Sequence, residues 1–283
     1  MITALVLLSA LLHATWNALL RLETAKDRSM VIATVVAAMF AVAVTGLRWA
    51  LGEPPISSWA GLGFAVMAGV FEATYFATLA AAMTRGTLGT VYTVSRGGAV
   101  LVVWPLSIAL FGELATVGST LGTALVLIGL VLTGLASRGG GRDQRGAVRW
   151  ALACALSIAG YHLGYKAALR EGINPSACFA VALGVAAAIN VARMAQTAGE
   201  LGAMRALVGR RWPRLVVMGA ICAGSFLLLM EALAVGGSGF VLTLRNTSVL
   251  FAVGLAWWIG ERPSRYELAG AALVAVGAAV MAR

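Results

Sequence analysis

The sequence predicts an all-α integral membrane protein with ten transmembrane helices, arranged as two inverted five-helix repeats. Three observations predict this fold: the composition, the length of the apolar runs, and a similarity between the two halves. Of 283 residues, 60% are apolar and 11% are charged, whereas about a quarter of a soluble domain is charged. The apolar residues recur in runs of about 20, the length that an α-helix needs to cross roughly 30 Å of hydrocarbon. The composition therefore argues against a water-soluble globule.

Ten apolar runs are long enough to span a bilayer. Pro54-Pro55, Pro175, Pro213 and Pro263 lie between runs or in a first helical turn, where a missing N–H does little harm. Only Pro105 lies inside a run, so we expect it to bend the fourth helix. The predicted spans are residues 2–20, 30–49, 59–83, 88–111, 116–136, 148–169, 174–194, 213–235, 238–259 and 266–282.

A polar stretch after the fifth run divides the spans into five and five, which prompts a search for an internal repeat. Because each half has an odd number of spans, the second half enters the membrane from the opposite face, so the repeat is inverted. The expected organisation is a first repeat at 1–137, a linker at 138–147 and a second repeat at 148–283. The pairs that align at a slide of 148 or 149 residues are Gly112-Glu113 with Gly260-Glu261, His13 with His162, and Arg21 with Arg170.

The formal net charge of +10 follows the loops rather than one patch. No basic groove interleaved with aromatic residues occurs, so nucleic acid is not an expected partner. Fifteen of the 21 Lys and Arg residues lie in loops 1–2, 3–4, 5–6, 7–8 and 9–10, three lie on the other side, and three lie within spans. The positive-inside rule places the fifteen in the cytoplasm and both termini outside it.

This topology predicts a cytoplasmic position for Ser137, next to the central polar stretch. A Ser137→Cys variant should resist an impermeant thiol reagent added to intact cells, and it should react after permeabilisation. Labelling of intact cells would show that the orientation is the reverse of the predicted one, and it would leave the predicted fold unaffected.

Ionised residues within a span cost roughly 2.5–3.5 kcal/mol each on insertion scales, so they usually face a cavity or a partner. His13, Trp16 and Asn17 share one helical face at spacings of three and four, and His162, Tyr165 and Lys166 repeat that pattern. The predicted cavity residues are His13, Trp16, Asn17, Glu72, Tyr75, Tyr92, Arg96, His162, Tyr165, Lys166, Arg245 and Asn246.

Structural roles compete with binding roles for these residues. Glu72 and Arg96 could neutralise each other as a scaffold pair, Glu231 could reach Lys166 or water, and the two histidines could join the halves by a hydrogen bond. The candidates for proton coupling are Glu72, His13, His162 and Glu231.

Several motifs together resemble the drug/metabolite transporter superfamily, specifically its ten-helix EamA-type branch. The resemblance covers the whole chain and implies a membrane transporter, mainly an exporter. Where the family often has a proline before the Gly-Glu motif, this chain has Val100 and Ser248, and family termini are commonly cytoplasmic. The motifs are Leu12–Arg21, then Phe111-Gly112-Glu113-Leu114 and Ile259-Gly260-Glu261-Arg262, and the glycine-rich segments Leu121–Gly129 and Ala269–Gly277.

Zinc-ligand spacing, a nucleophile elbow, a P-loop and a CxxC motif do not occur in the sequence, so we expect no enzyme activity, no ATP-driven transport, no cofactor and no metal. The first hypothesis is a secondary transporter in the cell membrane that exports small polar metabolites such as amino acids by alternating access through a central cavity. In it, Arg96, Arg245 or Lys166 receives a carboxylate and Glu72 an ammonium. Multidrug or organic-cation efflux is the alternative, and lipid handling is a third.

Glycines recur on one stripe of the fifth and tenth predicted helices, at Gly118, Gly122 and Gly129 and at Gly270 and Gly277. Small residues allow helices to approach closely in membranes. Such stripes fit either an interface between the two halves or one between two protomers, so both a monomer and a homodimer are expected possibilities.

Overall fold

The computed structural model describes residues 2–112, 116–136, 142–235, 241 and 244–281, and within them all regular structure is helical. Ten helices are described, which confirms the predicted all-α class. They are α1 (Ile2–Arg21), α2 (Lys26–Ala50), α3 (Trp59–Arg85), α4 (Leu88–Phe111), α5 (Val117–Ala136), α6 (Arg142–Arg170), α7 (Pro175–Ala195), α8 (Glu200–Val235), α9 (Ser248–Trp258) and α10 (Arg265–Met281).

Six of these helices, α1 to α4 with α7 and α8, are long and apolar enough to cross a bilayer. Two apolar helical segments are shorter than these six helices: Thr120–Thr133 within α5, and α9. The chain is therefore a multi-pass membrane protein. In α6, the apolar stretch is interrupted by His162 and Lys166, the polar residues that the sequence assigns to a cavity rather than to lipid.

Local sequence signals fix where helices begin and end. The side-chain oxygens of Ser58, Thr87 and Asn174 accept hydrogen bonds from backbone N–H groups in the first turns of α3, α4 and α7. Pro175 then occupies the first turn of α7, where its missing N–H costs nothing. At the other end of α4, Gly112 takes a left-handed conformation with φ 68°, which glycine adopts without steric cost.

Two helices begin earlier than predicted. α6 begins at Arg142 rather than near residue 148, so it includes part of the segment 138–147 that was expected to be a linker. α8 begins at Glu200 and changes direction at Arg211 (φ −135°, ψ 19°), just before Pro213. The predicted span from 213 is thus the second arm of a kinked helix, and Glu200–Arg210 forms a separate arm next to it.

In the predicted ninth span at 238–259, the chain turns at Asn246 and Thr247 before α9 begins. Residues 238–240, 242 and 243 of that span lie outside the described residues. Around this turn the amides of Thr247, Val249 and Leu250 bond to carbonyls three residues earlier, as in a 3₁₀ helix. Such a tightened segment often marks a functional position within a helix. By contrast, α4 stays helical through Pro105.

The first five helices pack mainly against the last five rather than against each other. The most extensive interfaces are α3 with α6 and α5 with α10, followed by α3 with α7, α4 with α6, and α8 with both α1 and α2. At the α5–α10 crossing, a Cβ built on Gly129 would lie 2.6 Å from the carbonyl oxygen of Gly270, and one on Gly277 2.6 Å from that of Gly122. The glycine stripes therefore join the two halves within one chain.

Candidate functional site

A histidine between two arginines forms the centre of the bundle. His13 is fully buried on α1, and its two ring nitrogens face different guanidiniums. Arg96 of α4 contacts Nε2, and Nη2 of Arg245 lies 3.0 Å from Nδ1. Both arginines are almost completely buried, 3% and 2% exposed, and within the described part of the chain neither forms an ion pair with a carboxylate.

Aromatic rings surround these three side chains. The guanidinium of Arg245 lies 4.6 Å above the ring of Phe226, and that of Arg96 lies 5.7 Å from the ring of Tyr92. Phe226 also packs edge-on against His13 at 5.3 Å between centroids. Each guanidinium is therefore held against an aromatic face, an arrangement that favours a cation through the ring quadrupole.

The cluster contains more hydrogen-bond donors than acceptors. A neutral imidazole has one lone pair and one N–H, whereas arginine and the tryptophan indole only donate. Yet Arg96 faces Nε2, while Arg245 and Trp16 both face Nδ1, the indole at 3.3 Å. Nε and Nη1 of Arg245 are buried with no hydrogen-bond partner. His13 cannot accept from all three groups, so the cluster can bind an additional acceptor such as an anion.

Unpaired acceptors lie in a second part of the same core. Glu72 of α3 is fully buried, and both its carboxyl oxygens have no hydrogen-bond partner. The hydroxyl of Tyr165 on α6 interacts with this carboxyl without reaching full hydrogen-bond geometry. The Tyr161 hydroxyl and Nδ1 of His162 have no hydrogen-bond partner. The structure therefore does not form the Glu72–Arg96 scaffold pair that the sequence left open.

Aromatic rings in tilted contact connect the two parts of the core. The centroid of Tyr161 lies 5.3 Å from that of Tyr75, 4.5 Å from His162 and 6.1 Å from Phe226. Phe226 in turn packs against His13. Glu72 and the two arginines consequently belong to one continuous buried cluster, which we call the core cluster, centred on His13 and Glu72.

Most of the predicted cavity residues lie in or against the core cluster, although they differ in their contacts. Asn17 donates to the His13 carbonyl (2.7 Å) and to the Tyr92 hydroxyl (3.3 Å). Lys166 is half-buried, and Asn246 lies buried in the turn before α9. Glu231, a predicted proton-coupling residue, is paired with Arg48 at 2.6 Å and is 37% exposed.

The sequence analysis did not single out several residues of the core cluster. Ser9 and Ser225 bond to each other's carbonyl oxygens, at 2.6 and 3.1 Å, directly beside His13. Ser9 had a signal, since it lies four residues before His13 on the same helical face. A second overlooked signal is that Arg96 and Arg245 are 149 residues apart, like the two histidines. Phe226 and Tyr161 had none, because aromatic residues are common in apolar helices.

Guanidinium–carboxylate pairs connect the two halves at the side that the sequence places in the cytoplasm. Arg28 binds both oxygens of Glu200, and this hydrogen-bonded contact holds the pKa of the Glu200 carboxyl below its usual value. Glu261 accepts from Arg21 and from the first amide of α4. These contacts hold the ends of the helices together at that face. The pairs are Arg21–Glu261 (2.5 Å), Arg28–Glu200 (2.7 Å), Arg193–Asp27 (2.6 Å), Arg211–Glu23 (3.1 Å) and Arg214–Glu23 (2.7 Å).

A polar cavity of about 700 Å³ lies among these ion pairs. Its lining includes Lys26, Arg28, Arg193 and Glu200, and it contains none of the twelve predicted cavity residues. It therefore belongs to the end of the bundle that carries these ion pairs and not to the core cluster.

The chain resembles known proteins in sequence and in fold. Residues 145–283 match the EamA-like transporter family. A crystal structure of another protein resembles the chain with a TM-score of 0.66 and 18% sequence identity, covering 99% of this chain and 96% of that one. At that identity the likeness shows a common fold. None of the curated proteins matches the sequence.

Proposed function

Because the C-terminal half of the chain, residues 145–283, belongs to the EamA-like transporter family, we propose that the protein is a secondary transporter that exports small polar metabolites such as amino acids. The EamA-like family is a transporter family, so the proposal includes no enzyme activity. The observation that carries the proposal is the core cluster, in which donors and acceptors without hydrogen-bond partners are buried together among the helices. Buried polar groups in a membrane usually serve a substrate or ion pathway.

A zwitterion would satisfy both parts of the core cluster at once. Its carboxylate would accept from the guanidiniums at His13, and its ammonium would donate to the free oxygens of Glu72. The aromatic rings between them would receive an apolar side chain. Glu72 is also the strongest candidate for proton coupling, ahead of His13 and His162, because its carboxyl is fully buried and forms no ion pair among the described residues.

Transport by alternating access follows from the proposed arrangement of repeats 1–137 and 148–283, with the linker between them. Exchanging each helix with the one five positions later maps the α3–α6 contact onto α8–α1, α3–α7 onto α8–α2, and α4–α6 onto α9–α1. This correspondence supports an inverted repeat. The ion pairs at the predicted cytoplasmic face would then be the contacts that open when the site turns inward.

The charge of the core cluster disfavours the competing function. A lipophilic cation would meet two buried guanidiniums around His13 and only one carboxylate, Glu72. Organic-cation efflux therefore requires binding against a net positive field.

Counterflow into proteoliposomes, with a panel of radiolabelled metabolites, tests the proposed function. We expect liposomes preloaded with an amino acid to accumulate the labelled amino acid. Liposomes preloaded with an organic cation should not accumulate the labelled cation. Accumulation of cations only would favour efflux of that class, and no accumulation of any compound would refute metabolite transport.

Replacing the Glu72 carboxylate by an amide should weaken binding of an ammonium group. We expect Glu72→Gln to lower amino-acid counterflow about tenfold or more, because one charged hydrogen bond contributes about 1.5–3 kcal/mol. Carboxylates that lack an ammonium should lose less. Glu171→Gln, in an exposed loop, is the matched control and should behave as the unmodified protein. Equal losses for both substrate types would argue against an ammonium at Glu72.

A further inference from the structure

The charges in the core cluster do not cancel. Arg96 and Arg245 are both buried and have no carboxylate partner among the described residues, whereas Glu72 is the cluster's single buried acid. Lys166 lies at the edge and is half-buried. The core therefore holds two guanidinium cations and one carboxyl group, so at least one positive charge is uncompensated, which is strongly unfavourable in a low-dielectric interior.

The hydrogen-bond inventory has the same imbalance. The groups near Arg245 that can accept are Nδ1 of His13 at 3.0 Å and the hydroxyl of Ser225 at 3.4 Å. That hydroxyl already donates to the Ser9 carbonyl. Two donor nitrogens of Arg245 remain unpaired, and Arg96 competes for the same imidazole. The missing groups are acceptors with negative charge.

The two arginines require acceptors at two separate positions. They approach opposite ring nitrogens of His13, so the imidazole lies between them. A single small anion placed at one guanidinium leaves the other without a negatively charged partner. Two acidic groups on one molecule can serve both, one on each side of His13, as two bidentate guanidinium–carboxylate contacts.

We infer that the substrate is an acidic amino acid, a small molecule with two carboxylates and one ammonium, whose acidic groups pair with Arg96 and Arg245 while its ammonium binds Glu72. This inference rests on the proposed transport function and narrows it to one substrate class. The charges of such a molecule, two negative and one positive, are the complement of those in the core cluster. A neutral zwitterion would leave one guanidinium unpaired, and a simple dicarboxylate would leave Glu72 unpaired.

Competition by matched compounds tests the inference on the unmodified protein. Proteoliposomes preloaded with an acidic amino acid take up the labelled compound in the presence of one of three unlabelled competitors: the same acid, its side-chain amide, or the dicarboxylate without the amine. The acid and its amide have nearly the same shape and differ in one negative charge. We expect the acid to compete about tenfold or more better than the amide, the effect of one charged contact, and also better than the dicarboxylate.

Equal competition by acid and amide would overturn the inference, and it would leave metabolite transport intact if the amide itself is transported. Absence of counterflow for every compound would instead refute the proposed function along with it. Arg96→Gln and Arg245→Gln give a second readout, in which the ratio between acid and amide falls toward one. Because these variants could lose transport altogether, the ratio is also measured as the rise in melting temperature of purified protein with each compound. An unchanged ratio in both variants would contradict the assigned contacts.

Discussion

We expect transport to fall by about two orders of magnitude when Arg245 is replaced by glutamine. The guanidinium supplies a full charge and several donors to the core cluster, and two of its nitrogens have no hydrogen-bond partner. Glutamine keeps a donor but has no charge, so at least one charged hydrogen bond to the substrate is lost, together with the local positive potential. Charged hydrogen bonds of about 1.5–3 kcal/mol each support this magnitude. Initial rates of counterflow, normalised to reconstituted protein, measure it.

The stability of Arg245→Gln should not fall with its transport activity. A measurement of stability therefore distinguishes a loss of substrate binding from a loss of folding. Arg245 is buried without a carboxylate partner in the described part of the chain, so removing its charge relieves a desolvation cost. We expect Arg245→Gln to melt in detergent at the same temperature as the unmodified protein or higher. Arg245→Lys keeps the charge but loses the planar fork, and it should recover transport only partly.

Arg205→Gln is the control, since Arg205 is exposed on the first arm of α8. It should leave transport unchanged. Normal transport by both Arg245→Gln and Arg96→Gln, at normal protein levels, would place the arginines outside the substrate path.

The second large effect is structural, at the crossing of α5 and α10. Gly129→Val should lower the melting temperature by several degrees or prevent recovery of folded protein. Its Cβ would lie 2.6 Å from the Gly270 carbonyl oxygen and 2.9 Å from a methyl of Val274. The backbone carbonyl cannot move aside, so the helices must separate, and overpacking of this kind costs about 1–3 kcal/mol or more.

Gly254→Val on α9 is the matched control, because a Cβ there meets no atom within 4 Å. Both variants introduce the same β-branched residue into a helix, so the difference between them isolates the contact with α10. Equal melting temperatures would show that the crossing is looser than the structure indicates.

The sequence predicted the class of the fold because its signals are physical constraints. Apolar runs must match the bilayer, and this alone defined seven of the ten helices closely, all except α6, α8 and α9. The kinked α8 and the turn before α9 were missed, since a run of apolar residues does not reveal where a helix tightens within it. Helix existence is fixed by hydrophobic length, whereas local breaks depend on packing against neighbours.

Candidate residues were found for a similar reason. His13, Glu72, Arg96 and Arg245 stand out because ionisable groups are costly in the membrane. Their partners could not be predicted, because helical spacing fixes which residues share a face but not which helices meet. The Glu72–Arg96 pair, which the sequence left open as an alternative, is an example: these opposite charges on neighbouring helices lie in different parts of the core cluster.

The interleaving of the two halves has a consequence for how the chain is made. α1, α3 and α4 leave the ribosome before α6, α8 and the segment with Arg245 exist. At about 5–20 residues per second, the second half takes roughly 10–30 seconds to synthesise. For that interval His13, Glu72 and Arg96 are in the membrane without the helices that later bury them. The insertion machinery must therefore shelter the early helices until the late ones arrive, and a ribosome that stalls after α5 leaves a product with charged groups facing lipid.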